Sequence, residues 1–175
     1  LKQVHGIDVV EADPARVAEA DASCTSTPGI ACTSMTADCL PVLFCNLAGT
    51  EVAAAHAGWR GLCAGVLEET VACFRDRPDN ILAWLGPAIG PQAFEVGPEV
   101  RDAFMARDVA ADSAFRPVGE KYYTDIYQLA RQRLARLGIT RVYGGDRCTL
   151  SEKGDFFSYR RDRTTGRMAS FIWLR

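Results

Sequence analysis

Histidine is scarce in this chain: 175 residues carry two, His5 and His56. That supply excludes a cluster of several copper ions, which needs many imidazoles, although a single copper could be held. Charge excess is also missing, with 20 Lys and Arg against 22 Asp and Glu and a net charge of -2. No long-range field therefore draws the protein to nucleic acid or to an anionic membrane. No unbroken apolar run approaches the roughly 18 residues of a spanning helix, and no signal-peptide pattern opens the chain, so the expected location is the cytoplasm. The seven cysteines (24, 32, 39, 45, 63, 73 and 148) form an odd set with no Cys-x-x-Cys pair. Neither a disulfide framework nor a four-cysteine zinc knuckle is indicated, and most of the thiols are expected to be free and buried.

What is present suits one globular domain spanning 1–175, since a 48% hydrophobic content supplies a sizeable core. The first candidate site residue, His5, comes only four residues after Leu1, so a further N-terminal segment is expected upstream. Short apolar runs at 30–36, 40–47 and 51–56 predict strands, with Leu47-Ala-Gly-Thr50 as a turn and Pro41 marking a strand start just after Cys39. Leu62, Val66, Leu67, Thr70, Val71 and Phe74 recur at helical spacing and predict one helix of about four turns. A buried strand follows at 81–85, then a helix with Pro98 in its first turn, and a third helix from Thr124 as N-cap to Gly138. Closing strands are expected at 141–145, 156–159 and 169–174, the last of them central because it is almost wholly apolar. Residues 106–121 are the loosest stretch. The class is mixed α+β.

Both histidines adjoin glycine, His5 before Gly6 and His56 before Ala57-Gly-Trp-Arg-Gly61, and Cys39 heads an apolar strand between them. Two imidazoles and one thiolate make a three-ligand zinc set with an open fourth position, the arrangement of a catalytic site. The residues are far apart in sequence, so hydrogen-bonded structural histidines remain the alternative. Asp38 is a candidate proton carrier beside such a metal, or a turn residue bonding nearby amides. Arg60, in the glycine-rich turn opening a helix, is a candidate clamp for a phosphate or carboxylate. A metal-free alternative makes Cys39 a nucleophile with His56 as its base. Cys148 is either a second thiol of the site or a buried structural residue. Arg160, Arg161 and Arg163 with Asp162 read as a solvated hairpin rather than an anion site.

The motifs Lys2-Gln-Val-His-Gly, Thr36-Ala-Asp-Cys-Leu-Pro-Val-Leu-Phe, Ala55-His-Ala-Gly-Trp-Arg-Gly, Leu85-Gly-Pro-Ala-Ile-Gly-Pro, Phe94-Glu-Val-Gly, Phe156-Phe-Ser-Tyr-Arg-Arg-Asp and Gly166-Arg-Met-Ala-Ser run nearly end to end. In this order the chain resembles the laccase-domain proteins, also known as the multicopper polyphenol oxidase or purine nucleoside phosphorylase family, in its bacterial peptidoglycan-editing-factor form. The resemblance implies zinc held by His5, Cys39 and His56. It also implies a four-layer α/β/β/α sandwich of mixed sheets, related to the cysteine hydrolase domain of cytotoxic necrotizing toxins. The implied activities are phosphorolysis of adenosine, inosine and methylthioadenosine, with adenosine deamination. Muropeptide editing, by release of a misplaced L-serine, and a polyphenol oxidase-like copper protein are the alternatives. Asp38, Cys39, His56 and Arg60 are then the catalytic set, the partners are a purine nucleoside and phosphate, and the assembly is a monomer or small homo-oligomer. The usual His-x-Glu of zinc deaminases is absent here, which counts against Asp38 in that role.

Overall fold

A computed structural model describes residues 1–175. The strands are β1 (Val9–Glu11), β2 (Ala22–Thr25), β3 (Ala31–Thr36), β4 (Leu40–Asn46), β5 (Val52–Ala57), β6 (Ile81–Leu85), β7 (Glu95–Val96), β8 (Phe115–Val118), β9 (Lys121–Thr124), β10 (Arg141–Gly144) and β11 (Met168–Trp173). The helices are α1 (Trp59–Ala64), α2 (Val66–Ala72), α3 (Pro98–Met105), α4 (Ile126–Arg136) and α5 (Tyr159–Asp162). Six strands form a mixed sheet in the order β1-β2-β5-β4-β6-β10, β3 pairs with β11, and β7, β9 and β8 form a third, antiparallel sheet. The chain is a single α+β domain, and no helix is long and apolar enough to cross a membrane.

β5, Val-Ala-Ala-Ala-His-Ala, is the hinge of the packing because every residue in it is buried. Strand alternation sends Ala53, Ala55 and Ala57 into the main core with Leu62, Leu67 and Leu129. The opposite face sends Val52 and Ala54 into a smaller core with Cys32 and Leu174 of the β3–β11 side. Short alanine side chains let a helical layer and a second sheet approach the same strand, and the same alternation turns His56 toward the second sheet. Residues 1–175 thus supply helices, main sheet and second sheet. The outer face of β3–β11 bears exposed Met35, Phe171 and Trp173.

Strands 31–36, 40–46 and 52–57 lie where the apolar runs predict them. Pro41 stands opposite His56 in the β4–β5 ladder, while pairing of β4 with β6 begins only at Val42. Its carbonyl accepts from the Gly86 amide just past β6 at 2.9 Å, so the missing N–H forgoes only the return bond at the end of that ladder.

Four local expectations change. The helix after His56 is two helices, because Gly65 interrupts it at φ 121°. Asp125, not Thr124, caps α4 by accepting from the Gln128 amide at 2.9 Å. Residues 156–158 form no strand: they lead into α5, with Ser158 as cap accepting from the Arg161 amide. Finally, β11 is not central, since β3 is its sole partner; its apolar side chains alternate between the small core and the outer surface.

Gly65 gives a direct test. An added Cβ would meet nothing closer than 3.7 Å, so the cost of Gly65→Ala is that of the backbone conformation alone, about 1–2 kcal/mol. Urea denaturation should show this loss; an unchanged or raised midpoint would mean that α1 and α2 can join without strain.

Candidate metal centre

His5 sits in a loop with no regular structure and a positive φ of 63°. What holds it there is Asp21, which is 1% exposed just ahead of β2. The Asp21 carboxylate accepts from the consecutive amides of Val4 (3.1 Å), His5 (2.9 Å) and Gly6 (2.7 Å). Its Oδ1 also meets Nδ1 of His56 at 2.7 Å. Burial alone would push this carboxyl up; the His56 bond and the three amides outweigh that and hold it below the ordinary range. Burial lowers the His56 pKa, against the pull of Asp21, so the ring is neutral with its proton on Nδ1 and a lone pair free on Nε2.

Cys39 stands at the head of β4, beside Gly58 one step past the Leu40–Ala57 pair. Its Sγ is 3.8 Å from Nε2 of His5, and the two imidazoles meet edge to face with centroids 4.8 Å apart. The ligand atoms of His5, Cys39 and His56 lie within 4.8 Å of one another. Burial, then the neighbouring Asp38 charge, pushes the Cys39 thiol up to about 11, while Arg167 opposes the rise. A cation binding here would release that proton. Two imidazoles and a thiol suit a borderline-soft ion such as zinc, and a carboxylate behind one imidazole is the usual support for such a ligand.

The glycines beside His56 are steric necessities. A Cβ on Gly58 would stand 2.8 Å from Cδ2 of His5 and 3.2 Å from Sγ of Cys39, and one on Gly61 would stand 2.7 Å from the Gly6 carbonyl oxygen. The motif Ala-Gly-Trp-Arg-Gly thus clears space for the His5 loop. A cavity of about 490 Å³ opens over the three ligands, with Thr36, Tyr159 and Arg167 in its walls.

Asp38 and Arg60 occupy positions different from those expected. Asp38, at φ 87°, turns its carboxylate to Thr149 Oγ1 (2.7 Å), Ser158 Oγ (3.1 Å) and the Arg160 amide (2.6 Å). It anchors two distant loops and is absent from the cavity wall. Arg60 is exposed, stacks on the Trp59 ring at 4.5 Å and is also outside that wall. Cys148 belongs to a separate cavity with Gly90 and Arg160; donors from Ser151, Gly90 and Leu150 outweigh its burial and lower its pKa. The basic cluster is not a solvated hairpin, for Arg161 donates to the carbonyls of Thr149, Leu150 and Phe156.

Asp21, Thr36 and Arg167 were not singled out by sequence reasoning. For Asp21 a signal exists: one carboxylate within the small-residue run Ala20-Asp-Ala-Ser23. Arg167 falls within the motif Gly166-Arg-Met-Ala-Ser, but its spacing gives no sign that it reaches the site.

These features define a single-domain α+β protein with a candidate mononuclear His-Cys-His metal site supported by a buried aspartate. The chain belongs to the family described as multi-copper polyphenol oxidoreductase laccase, which it matches over residues 1–175. It is 70% identical to the Escherichia coli (strain K12) protein named purine nucleoside phosphorylase YfiH, over 99% of this chain and 72% of that protein. Identity is 61% to purine nucleoside phosphorylase PA4543 of Pseudomonas aeruginosa, over 99% and 73%. Among solved structures, Neisseria meningitidis protein NMB0706 superposes with a TM-score of 0.98 at 54% identity, over 99% of this chain and 73% of that one. The Bacillus licheniformis hypothetical protein YfiH gives 0.91 at 30% identity, over 99% and 72%.

Asp21 and Asp38 are separable by experiment. Asp21→Asn should weaken zinc binding roughly 10- to 100-fold in competition with a chromophoric chelator. Asp38→Asn should cost about 1–3 kcal/mol of stability while zinc affinity stays within a few-fold. An equal loss of affinity in both variants would contradict this division of roles.

Proposed function

We propose that this protein is a zinc-dependent purine nucleoside phosphorylase acting on inosine, adenosine and methylthioadenosine. The observation that carries this reading is the cavity over His5, Cys39 and His56, in a chain 70% identical to a protein named for that activity. Its volume of about 490 Å³ falls in the small-molecule range. Tyr159, half exposed at its wall, offers a ring face against which a purine can stack.

His5, Cys39 and His56 would hold the zinc, which when bound supplies a Lewis acid at the cavity floor. Asp21 keeps His56 in the tautomer and orientation that ligation needs. In phosphorolysis a phosphate oxygen forms a bond to ribose C1′ as the C1′–N9 bond breaks. The electron pair goes to the purine, which takes the phosphate proton, leaving ribose 1-phosphate. Deamination of adenosine needs a proton carrier near purine C6, and Asp38 is occupied by three donors elsewhere. Phosphorolysis is therefore the principal activity proposed.

One observation favours a second reading, a metal-free cysteine hydrolase that edits muropeptides. Asp21, His56 and Cys39 follow the order orienter, base, thiol. Against it, the Cys39 thiol is pushed up to about 11, the reverse of an activated nucleophile. A polyphenol oxidase reading has too few histidines for a multicopper relay, both being spent on one site.

The test is incubation of zinc-loaded protein with inosine, with and without phosphate. Hypoxanthine and ribose 1-phosphate should appear only with phosphate, and His56→Ala should reduce the rate at least about 100-fold. Absence of product at high enzyme loading would overturn the phosphorylase reading. Hydrolysis of an L-serine-containing muropeptide that survives chelation would favour the cysteine hydrolase.

A further inference from the structure

The wall of the metal cavity carries one buried hydroxyl without a partner and one exposed guanidinium without a carboxylate. Thr36 lines the cavity and is 2% exposed, and its buried Oγ1 makes no hydrogen bond. A buried hydroxyl without a partner is costly and is rarely retained without a reason. Ser34, two residues back on the same face of β3, is also unpartnered but lies outside the cavity wall.

Arg167 is the second group. Its Nη1 donates to the carbonyls of Thr165 and Gly166 at 3.3 and 3.0 Å, and no carboxylate pairs with it. Nε and Nη2 are left as an unpaired fork, the geometry that suits two oxygens of one phosphate or carboxylate. The strand register brings the two groups to one end: Met168 pairs with Thr36, so Arg167 stands one step beyond Thr36, on the side toward Cys39. The carboxylates nearest the centre, Asp21 and Asp38, are absent from this wall.

We propose that Arg167 and Thr36 form a subsite for a phosphate group beside the metal centre, Arg167 taking two oxygens through its fork and Thr36 donating its hydroxyl to a third. The assignment deepens the phosphorylase reading and rests on it for the identity of the phosphate, which is free inorganic phosphate if that reading holds. A phosphate already carried by the substrate is the other source of the same chemistry.

The test combines binding and kinetics on zinc-loaded protein. Inorganic phosphate and AMP are each titrated by calorimetry into wild type, Arg167→Gln and Thr36→Val, and KM values are taken for phosphate and for inosine. Arg167→Gln should weaken phosphate binding and raise its KM by about tenfold or more, with the inosine KM moving less than about twofold. Thr36→Val should weaken phosphate binding several-fold while the melting temperature holds or rises, since it removes an unpaired buried hydroxyl. A fall in melting temperature with no change in phosphate binding would make Thr36 structural and overturn its role. Phosphorolysis with a phosphate KM indifferent to both substitutions would overturn the subsite and leave the activity standing. Phosphate binding that depends on Arg167 without any phosphorolysis would keep the subsite and remove the activity. Binding of AMP alone, dependent on Arg167, would keep the subsite and assign its phosphate to the substrate.

Discussion

The site depends on one buried negative charge. A carboxylate taken out of water is costly unless its lone pairs are filled, and Asp21 fills them with three consecutive amides and one imidazole. Those four bonds tie together two parts of the chain that share no strand ladder. The amides belong to the loop that presents His5, and the imidazole is His56 of β5. Without the carboxylate, the loop would have no reason to keep His5 at φ 63°, a conformation that persists only where surrounding bonds over-determine it. Cys39 needs no such tether, since the β4–β5 register delivers it next to Gly58.

The same economy explains the small residues around His56. A glycine-rich turn before a helix can bind an anion through its amides, and that is one meaning of Ala-His-Ala-Gly-Trp-Arg-Gly. Here the closest neighbours of the two glycines are the His5 ring, the Cys39 sulfur and the Gly6 carbonyl, so the glycines admit a second loop and its ligand. The alanines of β5 do the corresponding work in the sheet, where both faces must accept a packed layer. The anion subsite proposed above lies instead on the β3–β11 side of the cavity, where Thr36 and Arg167 stand.

Local pattern carried much of the fold. Apolar runs bounded by Gly, Asn or Pro located β3 to β6, and helical spacing located α4. It failed where a long-range contact or a backbone angle decides. Hydrophobic periodicity runs straight through Gly65, so the break between α1 and α2 leaves no trace in spacing. Phe156-Phe-Ser-Tyr has strand composition, yet Ser158 and Arg160 are claimed by Asp38, more than 100 residues earlier, and Arg161 is drawn onto three carbonyls. β11 is apolar on both faces, which reads as central, but only one face meets a core. The cluster of His5, Cys39 and His56 that could hold a metal was legible because the chain has so few histidines. Asp21 was not, since a lone aspartate among alanines looks like a turn until His56 is placed beside it.

Charge is unevenly distributed across the centre, and this bears on what can enter. Asp38 sits next to Cys39 and Asp21 behind His56, both buried and both absent from the cavity wall. Burial first, and then their charge, keeps Cys39 a thiol when no cation is there. On the cavity side the charged group is Arg167. An approaching anion therefore meets a guanidinium first, with two carboxylates screened behind neutral side chains and already satisfied by hydrogen bonds. With a divalent ion held by one thiolate and two neutral imidazoles, the ligand set keeps a residual positive charge facing the same opening. The opening thus presents positive charge by placement rather than by net charge, which for the whole chain is -2.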